Sequence, residues 1–241
     1  MAAARAPVHG VRPHSARIAL QSKHMAARSE GELERRVPRL YVVTPPVAET
    51  AAMACDLAAM VEVVDIAAVL VRLAADAENT LTKRIKALAP VVQKNGAALL
   101  LDGHADMVGR SGADGAHLTG IEAFQAALPS LKPGHIAGAG GLHTRHDAMS
   151  LAEAGADYVM FGEPDGNGRR PPFEAVVDRV AWWAEVFEIP CVGFAADLDE
   201  VAALAAAGAD FVAVGDFLFA DPAGPVAATL AASRQLLREP A

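Results

Sequence analysis

Asp102 closes the apolar run AALLLD, and a carboxylate placed there offers the oxygen ligands that a hard cation such as Mg2+ takes. Glu122 follows a second run in GAHLTGIE, and Arg72 ends a third as a fork of donors suited to a diphosphate. His143, in GLHT with Thr144, can hold or release a proton near neutral pH. The stretch EPDGNGRRPP over residues 163–172 is rich in Gly and Pro and carries Arg169 and Arg170, so it could fold over a ligand and bring positive charge. Ala195-Ala196-Asp197 and Gly215-Asp216-Phe217 each follow an apolar run, where helix-start amides can receive an anion. Each group also has a plainer account. Asp102 could cap a helix, Glu122 could be a solvated first-turn residue, Arg72 could sit in an ion pair, and the Arg pair could simply face water.

These residues need a frame, and the chain supplies a rhythmic one. Short Val/Ile/Leu/Ala runs near residues 40–43, 64–72, 97–101, 115–118, 135–139, 158–162, 191–194 and 211–215 alternate with Ala-rich amphipathic stretches, the pattern of βαβ units. An internal echo strengthens the reading: SGADGAHL from Ser111, AGADYVMFG from Ala154 and AGADFVAVG from Ala207. In each, a Gly able to adopt the left-handed conformation (Gly112, Gly155, Gly208) closes a helix and Ala-Asp leads into a buried strand. Eight strands in order, with no GxGxxG turn after the first, favour a closed (β/α)8 TIM barrel over an open doubly wound sheet. Ligand groups then belong at the C-terminal ends of the strands, where all of the candidates above lie.

Composition sets the outer limits. A chain of 241 residues that is 53% hydrophobic and only 5% aromatic suits one α/β domain with small side chains packed between sheet and helices. Residues 1–38 carry seven bases against three acids and no periodicity. They read as a disordered leader, with Met25 as a possible second start and a faint likeness to an organelle transit peptide, and residues 39–241 as the barrel. The remainder is acidic, which disfavours nucleic-acid binding. Two cysteines without metal spacing imply neither a disulfide framework nor structural zinc, and no apolar run is long enough to cross a bilayer, so a cytoplasmic protein with no membrane partner is expected. Trp182-Trp183 could mark a homo-oligomer contact, with one Trp in the core; His117 reads as core or support, and His104 and His146 as surface.

RLYVVT at the first strand, SGADGAHLTG, GLHT followed by AGADYVMFG, and IPCVGF followed by AGADFVAVG together resemble the thiamine phosphate synthase family with its thiazole tautomerase (TenI-like) relatives, in order and spacing. The resemblance implies a reaction that joins an aminopyrimidine diphosphate to a thiazole phosphate, releasing pyrophosphate with the help of Mg2+. It implies Asp102 and Glu122 as metal carboxylates and Arg72, Thr144, Arg169, Arg170, Ala195, Ala196, Gly215 and Asp216 as substrate or phosphate contacts. By the tautomerase branch, His143 is the group that moves protons. The chain also departs from the pattern. Leu70 and Ala74 replace a Gln and a Lys that address the diphosphate, Gly141 replaces a Ser, and Asp216 would compete with a phosphate for helix-start amides. An isomerase of the tautomerase type and a noncatalytic metabolite-binding barrel are therefore kept as alternatives.

Overall fold

A computed structural model describes residues 37–237. The expected leader lies outside the described residues except for Val37 and Pro38, which belong to no helix or strand. Eight parallel strands pair in sequence order and close on themselves: β1 (Arg39–Val43), β2 (Ile66–Val71), β3 (Ala98–Asp102), β4 (Gly115–Thr119), β5 (Ile136–Gly140), β6 (Tyr158–Phe161), β7 (Cys191–Ala195) and β8 (Phe211–Val214). The β1–β8 seam, with Leu40 opposite Val212 and Val42 opposite Val214, completes the TIM barrel. Around it run α1 (Thr50–Val63), α2 (Glu78–Gln93), α3 (Ala105–Ser111), α4 (Ile121–Leu131), α5 (Arg145–Glu153), α6 (Phe173–Val186), α7 (Leu198–Ala206), the single turn α8 (Asp216–Phe219) and α9 (Pro225–Gln235). The second strand starts two residues later than the apolar run suggested, because the Val64 amide still bonds Met60 O and finishes α1.

The alternation along each strand separates two apolar layers. Leu40, Val42, Leu99, Leu101, Ala116 and Leu118 face outward to the helices, and burial against this ring of amphipathic helices is what holds the barrel closed. Tyr41, Val43, Leu70, Leu100, Met160 and Phe211 fill the interior, so the barrel is packed rather than hollow. Trp183 is the largest fully buried side chain; Trp182 is half-buried under the Arg145 guanidinium, 4.6 Å from the ring centre.

The three echoes have one physical cause. Gly112, Gly155 and Gly208 take φ of +86°, +103° and +95°, which side-chain-bearing residues rarely adopt, and so end α3, α5 and α7. The Asp two residues on then reaches back to the preceding strand. Asp114 accepts from Leu99 N on β3, Asp157 from Ala137 N on β5, and Asp210 from Cys191 N on β7, at 2.8, 2.8 and 2.9 Å. The backbone N–H of each Asp donates to the carbonyl of that same residue. At the remaining pair of strands the corresponding tie runs the other way, from the Arg39 guanidinium on β1 to Asp65 before β2. A carboxylate at the foot of every even strand therefore binds it to its odd neighbour.

Candidate functional site

At the opposite end of the barrel, the C-terminal ends of the strands border a small cleft of ≈ 80 Å3. Val43 from β1, Leu70 from β2, Met160 from β6, Phe194 from β7 and Pro164 give it apolar walls. Arg72, Asp102, His117, Thr119 and Glu163 supply the polar groups. Asp102 and Arg72 face the cleft because they continue the inward-facing series of Leu100 and Leu70, two residues apart on their chains.

His117, 1% exposed, is the centre of a chain of hydrogen bonds running down into the barrel. Its Nε2 lies 2.9 Å from Glu163 Oε2, and its Nδ1 lies 2.9 Å from the Tyr158 hydroxyl. That hydroxyl is 2.8 Å from the Tyr41 hydroxyl on the far wall. Two glycines of β5 make the arrangement possible. A methyl group on Gly138 would sit 2.0 Å from the Tyr158 ring, and one on Gly140 would sit 2.3 Å from Glu163 Oε1 and 2.4 Å from His117 Nε2. Glu163 Oε1 is buried and has no hydrogen-bond partner among the described residues.

Electrostatics follow from burial and neighbours. Burial alone would push the His117 pKa down, but the Glu163 carboxylate, through its charge and its hydrogen bond, and the charge of Asp102 outweigh it, so the pKa rises above the usual 6.5. Burial raises the Asp102 carboxyl above its ordinary value, aided by Glu163 and opposed by His117 and Arg72. It also raises both phenols, so Tyr41 and Tyr158 keep their protons.

The other residues singled out from the sequence are placed as follows. Arg72 pairs with Asp216 at 2.7 Å and donates from Nε to Thr44 O, so the charge expected for an anion is held at the rim by the chain's own carboxylate. Arg170 is mostly buried: it pairs with Glu200 at 2.9 Å and donates to Gly162 O and Phe194 O, pinning the 163–172 loop to the end of β7. Arg169 is exposed and near Asp165. The Ala196 amide donates to Glu200 Oε2 at 2.6 Å, Ala195 is buried at the end of β7, and Gly215 precedes α8. Thr144 forms a capping box with Asp147 at the start of α5, so GLHT is held by a helix-start motif. His143 beside it is exposed, its amide bonded to Asp147, and Glu122 is exposed in the first turn of α4. Neither lines the cleft. Among the described residues no group of three or more His, Cys, Asp or Glu is arranged to hold a metal.

Glu163 stands in the Gly- and Pro-rich stretch whose two arginines carry its charge reading, and His117 lies inside a strand, so neither stands out in the sequence as a cleft residue. A signal was present in the second case: on β4 the positions alternate, and His117 takes the inward one, where its neighbours on other strands are apolar.

Comparison with known proteins agrees with the fold. A family model described as thiamine monophosphate synthase matches residues 40–217. The thiamine-phosphate synthase of Rhodospirillum centenum is 37% identical over 194 residues, spanning 79% of this chain and 93% of the relative. That of Hyphomonas neptunium is 30% identical over 201 residues, spanning 80% and 91%. Among solved structures, a thiamine phosphate pyrophosphorylase from Pyrococcus furiosus shares the fold with a TM-score of 0.69 at 21% identity, over 85% of this chain and 99% of that one.

Proposed function

The chain belongs to the thiamine monophosphate synthase family, and we propose from that premise that its cleft transfers an aminopyrimidine methyl group from a diphosphate to the ring nitrogen of a thiazole phosphate. The C–O bond to the diphosphate breaks, the C–N bond forms, and pyrophosphate leaves carrying the electron pair. The observation that carries the reading is the convergence of Arg72 and Asp102 on one apolar-walled cleft at the catalytic end of the barrel.

The apolar walls exclude water from a reaction whose cationic carbon water would otherwise capture. Arg72, freed from Asp216, offers two parallel donors to the departing diphosphate. Asp102 is the one carboxylate that is both expected from the sequence as a metal ligand and present in the cleft. Mg2+ commonly rests on one or two carboxylates and otherwise on substrate phosphates, so a single Asp fits that ion, which when bound would neutralise charge on the diphosphate. The isomerase reading asks for a loop imidazole beside the ring, and His143 stands outside the lining.

The test is direct. Purified protein with Mg2+, the aminopyrimidine diphosphate and the thiazole phosphate should yield thiamine phosphate and pyrophosphate in equal amounts. Neither product, under conditions where a control synthase works, would refute the proposal.

A further inference from the structure

The interior of the cleft is richer in acceptors than in donors. Asp102 and Glu163 carry carboxylates there, whereas Arg72 already spends donors on Thr44 and Asp216. Glu163 is held by one oxygen only: Oε2 meets His117, and Oε1 is buried without a partner beside Gly140. A buried carboxylate oxygen left unpaired is costly, and Thr119, which also lines the cleft at the end of β4, forms no bond to it. An acceptor kept in this condition at the wall of a cleft is matched by a ligand that brings an N–H. The walls around it, Val43, Leu70, Met160 and Phe194, suit the faces of a flat ring.

Of the two rings in the proposed reaction, the thiazole has no N–H, and the pyrimidine carries one exocyclic amine. We propose that Glu163 is a specificity-determining residue that accepts a hydrogen bond from this amine, orienting the aminopyrimidine ring in the inner cleft with its diphosphate toward Arg72. A turn of the carboxyl about its bond to His117 swings Oε1 from Gly140 toward the ring. The inference rests on the synthase reading and adds to it the group that selects the amino-bearing ring.

Calorimetry with Mg2+ and no thiazole phosphate tests it, using the aminopyrimidine diphosphate and its analogue with hydrogen in place of the amine. The wild-type protein should bind the deamino compound about 10- to 100-fold more weakly, the range expected for a hydrogen bond to a charged acceptor. Glu163→Ala should bring the two affinities within about threefold. Glu163→Gln, which can still face His117 with one end and accept with the other, should keep part of the preference. Equal affinities in the wild-type protein would overturn the inference without reference to any variant, as would a preference that survives Glu163→Ala. Turnover by the wild-type enzyme without such a preference would overturn this inference and leave the synthase reading standing; no binding and no turnover would overturn both.

Discussion

Gly140→Ala adds a single methyl group at a crowded point against the His117–Glu163 pair. Its Cβ would lie 2.3 and 2.5 Å from the two Glu163 oxygens and 2.4 Å from His117 Nε2, so the pair must separate by about an ångström to restore ordinary contact. Gly140 is not among the positive-φ glycines, so the cost arises from contact and not from backbone strain. Breaking a buried bond to a charged group costs about 1.5–3 kcal/mol, and overpacking costs about 1–3 kcal/mol. One displacement incurs both, so the two overlap, and the reduced freedom of the unfolded chain returns about 0.4–1 kcal/mol. A net loss of about 2–3 kcal/mol follows, or about 4–12 °C in Tm for a domain of this size. Thermal and urea melts measure it, with Gly109→Ala as control. Gly109 lies in α3 with nothing within 4 Å of an added Cβ, so that variant should hold or gain up to about 1 kcal/mol. In a Glu163→Ala background the cost of Gly140→Ala should shrink, because most of the clash is gone. If Gly140→Ala melts within about 1 °C of wild type, the packing of His117 and Glu163 over this glycine is wrong.

Three further outcomes follow from named contacts. The raised pKa of His117 means that the folded state holds its proton more tightly than the unfolded one; the stability it adds is complete below 6.5 and is lost as pH rises through the folded value. Urea midpoints should therefore fall from about pH 6.5 upward, and Glu163→Gln, which removes the charge facing the imidazole, should flatten that slope; an unchanged slope would dismiss Glu163 as the cause. Arg170→Ala leaves Glu200 mostly buried without its partner and strips donors from Gly162 O and Phe194 O, so denaturation should show a loss of about 3–5 kcal/mol. Asp216→Asn should free Arg72 and raise pyrophosphate affinity by about fivefold at low salt, less at high salt, as read by calorimetry.

How much of this was legible beforehand depended on distance along the chain. Strands and closure could be read because each βα unit is local, and the Gly-Ala-Asp junctions repeat its ending three times. Asp102 and Arg72 were legible for the same reason: Asp102 ends β3 and Arg72 directly follows β2. The pairing of His117 with Glu163 joins residues 46 apart, and that of Arg170 with Glu200 joins residues 30 apart, which no local pattern announces. Thr144 carried its structural explanation openly, since a Thr followed three residues later by an acid is a helix-start signature, yet the family pattern drew attention to the loop as a binding element.

The carboxylate ties at the foot of the even strands bear on how such a molecule can change. They fix the stagger of neighbouring strands at the end remote from the cleft, with atoms that take no part in lining it. Four of the strand pairs are thus fastened from below, and the rim is released from that duty. Side chains such as Leu70, Ala74 and Glu163 can be exchanged by descent without unfastening the staves, which makes this barrel a scaffold on which new ligand preferences can be written one strand end at a time.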